Sequence, residues 1–156
     1  MPHIHEKIDF TVAVYIVYND KVLLRKHDKY GMWLGVGGHI ELGEDPTEAA
    51  VREVKEEVGL DVSLDDSLLP PTPPSSHSRD LIPPYYLGRH RINETHEHID
   101  FIYFAKALTA ELELSESEKS DEVKWFTRQD LENNEELLHD VKFYAVQALN
   151  RLSTKQ

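Results

Sequence analysis

Cysteine is absent from this chain of 156 residues, which excludes disulfides, thiolate nucleophiles and cysteine-based zinc sites. No apolar run approaches the roughly 18 residues that a membrane-spanning helix needs. The first residues, MPHIHEKIDF, lack the charged and then apolar regions of a signal peptide. We therefore expect no membrane partner, and the cytoplasm is the default expectation for the compartment.

Positive charge is also scarce, because 17 Lys and Arg residues face 29 Asp and Glu residues, for a formal net charge of −12. This balance argues against binding to duplex nucleic acid, which needs a basic surface. It does not exclude a small anionic ligand, since metal ions can lie between two negative partners. The length favours a single domain over residues 1–156, and the oligomeric state stays open, a homodimer included.

Glycine and proline are few but concentrated in two segments. Five of the seven glycines lie in residues 27–45, where unusual backbone angles and close approach of a ligand to the main chain are favoured. Six of the eight prolines lie in residues 65–84, a density that excludes regular core elements. We expect a long loop there, which is either a lid or specificity loop or a disordered insertion.

The remaining chain predicts an alternation of strands and helices. Strands are expected where β-branched and aromatic residues cluster, at residues 10–18, 21–25, 60–64, 85–92, 98–108 and 123–126. The strand at 98–108 is apolar on both faces, which is typical of a central buried strand. One helix is expected between an N-cap at Asp45, with Pro46 and Glu48 behind it, and a stop at Gly59. A last helix is expected from about Asn134.

The segment REVKEEVG, residues 52–59, carries three acids and two bases. On a helical wheel, Glu53, Glu56 and Glu57 fill one arc of roughly 100°. A second arc forms a core face of Ala50, Val51, Val54 and Val58, and a third, facing solvent, holds Glu48, Arg52 and Lys55. Neighbouring like charges destabilise a helix by a few tenths of a kcal/mol each. Two interpretations follow: a solvated face with ion pairs, or a site for Mg²⁺, which prefers oxygen ligands.

The flanks of this segment favour the metal site. From Gly38 the chain reads GHIELGEDPTEAAVREVKEEVGL, which fits G-x5-E-x7-R-E-U-x-E-E-x-G-U, where U is a bulky aliphatic residue. A chance match has a probability on the order of 10⁻⁹ per starting position at average residue usage. This segment, residues 38–60, resembles the signature of the Nudix hydrolase family. One departure is Val36, where many members carry proline, and it leaves the proposed ligands untouched.

The resemblance implies an α/β fold, a Nudix-type α/β/α sandwich around a mixed central sheet. It also implies a pyrophosphohydrolase that depends on Mg²⁺ or Mn²⁺ and cleaves the diphosphate linkage of a nucleoside diphosphate derivative, a small-molecule nucleotide substrate. Metal ions neutralise the phosphate oxygens and acidify a bound water in such chemistry.

Site residues follow from the same resemblance. It implies Glu53, Glu56 and Glu57 as metal ligands, with the Gly37 carbonyl as an addition, and one of these glutamates or a loop glutamate as the general base, Glu53 before Glu56. Arg52 points away from the centre of the metal arc, so we expect it to pair with Glu44 or with a helix glutamate, as a supporting part of the catalytic set. Arg25, at the end of the second strand, is either a phosphate ligand or a surface arginine.

Weaker candidates lie outside the motif. Glu118 and Glu122 precede the strand at 123–126 in an acidic loop, from which a further catalytic glutamate could come. His96, His98 and Asp100 share one face of a strand and form a transition-metal set, a substrate contact or satisfied polar groups. Aromatic side chains either stack on a base or pack in the core, namely Trp33, Tyr85 and Tyr86.

Two other functions are open at this point. The first is a non-catalytic nucleotide-binding sensor built on the same domain, which has no need of all three glutamates. The second is a prenyl diphosphate isomerase, which would want a catalytic cysteine that this chain lacks. The nucleotide, the phosphorus attacked and the number of metal ions are not readable from the sequence.

Overall fold

The computed structural model describes residues 6–116 and 122–154. The strands and helices, in chain order, are β1 Ile8–Tyr18, β2 Lys21–His27, β3 Met32–Leu34, β4 Val36–His39, α1 Pro46–Val58, β5 Val62–Leu64, β6 Tyr86–Arg91, β7 Glu97–Ala107, β8 Glu122–Thr127, α2 Arg128–Asn133 and α3 His139–Leu152. No helix in these ranges is long and apolar enough to cross a membrane.

Strand β1 organises the sheet. Its whole length pairs in parallel with β7, from Ile8 opposite Glu97 to Val17 opposite Lys106. The other edge of β1 is shared by two antiparallel partners, β4 at residues 11–14 and β2 at residues 16–18. A tight turn joins β1 to β2 at Asn19 and Asp20, and Asn19 takes the left-handed conformation that asparagine tolerates, with φ 54°.

The sheet has the order β3-β2-β1-β7-β5, with β8 on β2 and β6 on β7. It is mixed, because the β1–β7 pair is parallel and the other pairs are antiparallel. The predicted central position of β7 is confirmed, since β1 occupies one of its edges and β5 and β6 share the other.

Two apolar cores, one on each face of the sheet, complete an α/β/α sandwich. Because side chains alternate along a strand, Val12, Val14 and Ile16 face α1, with Ala50 and Val54. Side chains on the opposite face of the sheet pack against α2 and α3. The buried residues of this second core include Tyr15, Val17, Ile102, Phe104, Leu131, Ala145 and Leu149. The expected fold class is therefore confirmed.

Two elements at the C-terminal end differ from the sequence-based expectation. Helix α2 was not anticipated, although Thr127 and Asp130 form a capping box at its start. The last helix begins at His139 rather than near Asn134. Asn134 is extended, and its side chain accepts a hydrogen bond from the Glu136 N–H, so this local bond competes with helix formation.

Residues 65–85 contain no helix or strand. Contacts with the sandwich include the Asp65 N–H, which donates to the Phe104 carbonyl at 2.8 Å, and Arg79 Nη2, which lies 3.3 Å from Asp45 Oδ2. The segment thus reaches the N-terminus of α1, which carries the glutamates of the motif.

Candidate active site on the α1 face

Helix α1 begins and ends where its capping residues predict. The Asp45 side chain accepts hydrogen bonds from the N–H groups of Thr47 and Glu48, and the Glu48 side chain accepts one from the Asp45 N–H. Gly59 ends the helix with φ 72°, a left-handed angle that glycine adopts at no steric cost. The caps fix where the helix begins and ends. The face that packs on the sheet decides which way the glutamates point.

The three glutamates do not share one environment. Glu57 is buried, the Glu53 side chain is 13% exposed, and the Glu56 side chain is 61% exposed. Val51 is 42% exposed, so its assignment to the core face is wrong, and Ala49 is buried instead. The buried side of α1 is thus rotated toward Glu53 and Glu57, and Glu56 lies at its solvent edge.

Strand β4 makes room for these carboxylates because it carries glycine. A Cβ atom on Gly38 would lie 2.6 Å from Glu53 Oε1, so any larger residue would displace this carboxylate. Burial raises the pKa of the Glu53 carboxyl, while Arg52 opposes the shift by hydrogen bonding and charge. A carboxylate in this position accepts a proton more readily than an exposed glutamate does.

Both oxygens of Glu57 have partners. Oε1 accepts a short hydrogen bond from Arg25 Nη1, and Oε2 accepts one from the Gly37 N–H at 3.2 Å. The Arg25 side chain is only 12% exposed, so it is not the surface arginine that was one interpretation of the sequence. A guanidinium has five N–H donors, and this one lies beside a predicted metal ligand, where a phosphate could also accept a hydrogen bond from it.

Arg52 donates hydrogen bonds to three carboxylates of the motif. Its guanidinium donates to both oxygens of Glu44, at 3.0 and 2.6 Å, and to Glu53 and Glu56 at 2.8 and 3.1 Å. It also donates to the His39 carbonyl at 3.0 Å. The expected pair of Arg52 with Glu44 is therefore present, and its hydrogen bonds lower the pKa of Glu44.

The carboxylates on this face are candidate ligands for a hard cation. Two side chains with carboxylates in reach of β4, Glu53 and Glu57, lie one helical turn apart, and Glu56 adds a third at the solvent edge. An all-oxygen set with an open side is the kind of site that Mg²⁺ uses, because this ion keeps several waters. The assignment of Glu53, Glu56, Glu57 and the Gly37 carbonyl as ligands stays a prediction.

A different group of potential ligands lies on the other face of the sheet. Asp9, His39 and His98 each place one ligand atom within 4.8 Å of those of the other two. Of the candidates His96, His98 and Asp100, only His98 belongs to this group. Asp100 instead accepts a hydrogen bond from the Thr11 hydroxyl at 2.9 Å.

Other sequence candidates lie away from the glutamates of α1. Glu122 pairs across the sheet with Lys26, on the face of α2, and Glu118 lies outside the described residues. The aromatic candidates pack in the core: Trp33 meets Phe126 edge to face, and Tyr85 stacks on Phe104. The larger recess, about 660 Å³, has Trp33 and Phe126 in its lining and contains none of the motif's glutamates.

A smaller cavity of about 230 Å³ opens near the N-terminus of α1. Its lining is mostly apolar, with Phe10, Phe101, Ile40 and Pro46, and it also includes Asp9 and His39. Its position next to the helix that carries the glutamates makes it a candidate for holding an apolar part of a ligand.

Comparison with known proteins agrees with this geometry. A family model described as NUDIX domain matches residues 8–149. The crystal structure of a NUDIX-family hydrolase from Clostridium perfringens superimposes with a TM-score of 0.82 at 36% identity, over 93% of this chain and 98% of that one.

Two named relatives match over shorter stretches. The m7GpppN-mRNA hydrolase NUDT17 of Xenopus laevis is 44% identical over 59 residues, which are 34% of this chain and 20% of that protein. The dihydroneopterin triphosphate diphosphatase of Escherichia coli K12 is 41% identical over 56 residues, 35% of this chain and 37% of that protein. The match thus spans about a fifth to a third of these relatives. On the family model and the full-length structural match, the chain belongs to the Nudix hydrolase family.

Proposed function

We propose that this protein is a metal-dependent pyrophosphohydrolase that cleaves the diphosphate linkage of a nucleoside diphosphate derivative. The observation that carries the proposal is the pair of carboxylates, the buried Glu57 and the half-buried Glu53, held by α1 against the glycines of β4. Two relatives are named for m7GpppN-mRNA and for dihydroneopterin triphosphate, and these names support a phosphoanhydride as the bond that is cleaved.

The side chains take separate roles in this proposal. Glu53, Glu56, Glu57 and the Gly37 carbonyl hold Mg²⁺ or Mn²⁺, which supplies charge neutralisation at the diphosphate and a more acidic water. Glu53 is the first choice for the general base, because its burial raises its pKa, and Glu56 is the second. A base of this kind contributes about 10²–10⁴-fold in rate.

The arginines position these carboxylates. Arg52 holds Glu53 and Glu56 through one nitrogen and is itself fixed by both oxygens of Glu44, so the side-chain conformation of Glu53 is set before substrate binds. Arg25 fixes Glu57 in the same way, and we assign it a second role as donor to a phosphate oxygen. Preorganisation of this type lowers the cost of reaching the transition state.

The wider setting is part of the same proposal. The substrate is a small nucleotide rather than duplex nucleic acid, because the chain carries a net charge of −12 and would repel a phosphate backbone. We place the protein in the cytoplasm and treat residues 1–156 as one catalytic domain.

The test is a screen of nucleoside diphosphate derivatives with Mg²⁺, in which both products of each reaction are identified. The panel should contain nucleoside triphosphates, a nucleotide sugar, ADP-ribose and a dinucleoside polyphosphate. Cleavage between two phosphorus atoms, abolished by EDTA and restored by Mg²⁺ or Mn²⁺, is the expected result. Tight binding without turnover of any compound would favour the nucleotide sensor instead.

A further inference from the structure

The sheet face opposite α1 carries a group of imidazoles and a carboxylate that the proposed hydrolysis does not use. Asp9 of β1 pairs with His98 of the parallel strand β7, and His39 of β4 pairs with Thr11 of β1. Because paired residues of neighbouring strands point to the same side, these side chains lie together. Asp9 is 1% exposed, and the His39 side chain is 23% exposed, so the group reaches solvent on the His39 side.

The ligand atoms of this group lie close enough together for one metal ion to draw them into its coordination sphere. One ligand atom from each of Asp9, His39 and His98 lies within 4.8 Å of the other two, and Asp9 Oδ2 is 3.5 Å from His39 Nε2. Ligands of a tetrahedral zinc ion lie about 3.3 Å apart, given bond lengths of about 2.0–2.1 Å. The His39 and His98 rings stand at 80° with centroids 5.0 Å apart.

A fourth residue supports the carboxylate. His96 Nε2 lies 3.2 Å from Asp9 Oδ2, and its ring stands at 87° to that of His98, 5.1 Å away. A metal-binding side chain is commonly held in place by such an outer partner. His96 is not among the three residues whose ligand atoms lie within 4.8 Å of one another, so we assign it the role of orienting Asp9.

The donor chemistry selects the kind of ion. Two imidazole nitrogens and one carboxylate oxygen suit Zn²⁺, Fe²⁺ and Co²⁺, whereas Mg²⁺ prefers oxygen ligands alone. We propose that Asp9, His39 and His98 form a second metal site, which binds a divalent transition-metal ion with three protein ligands and an open position.

This site is separate from the glutamates although the two adjoin in sequence. Gly38 faces Glu53, since a Cβ atom at this position would lie 2.6 Å from Glu53 Oε1, and the next residue, His39, points to the opposite face of the sheet. The two sites thus share strand β4 and no ligand. The alternative is an ion cluster in which protonated histidines neutralise Asp9 without any metal.

Titration with Co²⁺ distinguishes these alternatives, because Co²⁺ bound by nitrogen and oxygen ligands has a visible spectrum that Mg²⁺ lacks. The experiment uses the full chain without a histidine tag, stripped with chelator and then dialysed. Mg²⁺ in excess is present throughout, so that the carboxylates of α1 are occupied. Displacement of Co²⁺ by Zn²⁺ gives the relative affinity.

We expect one Co²⁺ per chain and its displacement by Zn²⁺. Substitutions His39→Gln, His98→Gln and Asp9→Asn should each weaken binding by about tenfold or more, the scale found even for outer-shell partners. The matched control is His77→Gln, which removes an exposed imidazole in the proline-rich segment and should leave the Co²⁺ affinity unchanged. The spectrum should also persist in Glu53→Gln and Glu57→Gln.

Three results would overturn the proposal: no visible Co²⁺ spectrum in the wild type, an affinity unaffected by both His39→Gln and His98→Gln, or loss of the spectrum in the glutamate variants. The first would favour the ion cluster, and the last would place the ion on α1. Circular dichroism checks that each variant is folded. If Asp9→Asn is unfolded, the decision rests on His39→Gln, whose side chain is partly exposed and whose backbone bond to Arg52 is retained.

Discussion

The carboxylates on the two faces of the sheet have different partners. On the α1 face, carboxylates are held by guanidinium groups: Arg52 meets Glu44, Glu53 and Glu56, and Arg25 meets Glu57. On the opposite face, the carboxylate of Asp9 is flanked by the imidazoles of His39 and His96. One strand, β4, lies between them and supplies glycine to one face and histidine to the other.

This difference has a consequence for selectivity. Arginines stay charged at any ordinary pH, so on the α1 face they orient the carboxylates for a hard cation and a phosphate. Imidazoles are themselves ligands for softer ions. We therefore expect each face to attract a different class of ion, and substitutions can separate the two sites.

The largest effect is expected from the contrast between Glu57 and Glu56. Glu57→Gln should lower kcat by about 10² or more, the scale of an electrostatic contributor, because Glu57 is buried against β4 with Arg25. Glu56→Gln should cost less, since its side chain is 61% exposed. Steady-state rates with Mg²⁺ measure both.

The two variants must be compared at equal extents of folding, because they are expected to differ in stability. Glu57→Gln leaves the positive charge of Arg25, 12% exposed, beside an uncharged partner, so its free energy of unfolding without metal should fall. Rates are therefore compared at a temperature where circular dichroism shows both variants folded. Equal kcat values for the two variants would remove the distinction between buried and exposed glutamates.

The second prediction concerns the adjacent glycines of β4. A Cβ on Gly37 would lie 1.9 Å from the Val12 carbonyl oxygen, whereas one on Gly38 would meet the movable carboxylate of Glu53. Gly37→Ala should therefore destabilise the fold by about 2 kcal/mol or more. Gly38→Ala should stay folded and lose about tenfold to hundredfold in kcat, because a displacement of about 1 Å has that cost.

Thermal melts and initial rates together decide this pair. A Gly38→Ala variant with full activity would show that the position of Glu53 does not matter for the reaction. A stable Gly37→Ala variant would mean that β4 can move away from β1.

The third prediction is a pH dependence of stability at Glu44. The hydrogen bonds from Arg52 lower the pKa of Glu44 below its ordinary value of 4.5, so the ionised form stabilises the folded state. Glu44→Gln should cost about 2 kcal/mol at neutral pH, the scale of hydrogen bonds between charged groups. This difference should be present above pH 4.5 and disappear as the pH falls through the lowered pKa of the folded state.

Urea unfolding at neutral pH and at about pH 3 measures this difference between wild type and variant. Glu132→Gln, an exposed position on α2, is the matched control and should show no such pH dependence. A constant difference at both pH values would assign the effect of Glu44 to packing.

The smallest effect is expected from the proline-rich segment. Replacing residues 70–79 by a short Gly-Ser linker should change KM and the ranking of substrates, because residues remote from the chemistry hold the substrate in register. Dependence on Mg²⁺ should persist, since the glutamates of α1 are untouched. The substrate screen repeated on this variant is the measurement, and an identical ranking would make the segment a passive insertion.

The α1 face could be predicted from the sequence because its determinants are local. Asp45, Glu48 and Gly59 specify the helix ends. Glu44, just before the N-cap, lies about two helical turns from Arg52, within reach of its long side chain. The rotation of the helix was less predictable: Val51 is exposed and Ala49 buried, because the glycines of β4 admit carboxylates to the packed side.

The opposite face could not be predicted in the same way because its determinants are distant. Asp9, His39 and His98 come together only through the parallel pairing of β1 with β7 and the antiparallel pairing of β1 with β4. His98 and Asp100 share a face of β7, but Asp100 accepts a hydrogen bond from the Thr11 hydroxyl and is not part of the group. The start of α2 could have been found, since Thr127 and Asp130 are spaced as a capping box.

The role of Glu53 as the catalytic carboxylate of the α1 face is tested most directly by one comparison of rates. Mg²⁺-dependent hydrolysis of the best substrate is measured for wild type, Glu53→Gln and the control Glu132→Gln, with fold checked for each. We predict a loss in kcat of about 10² or more for Glu53→Gln and none for Glu132→Gln. Full turnover by a folded Glu53→Gln variant would contradict the account.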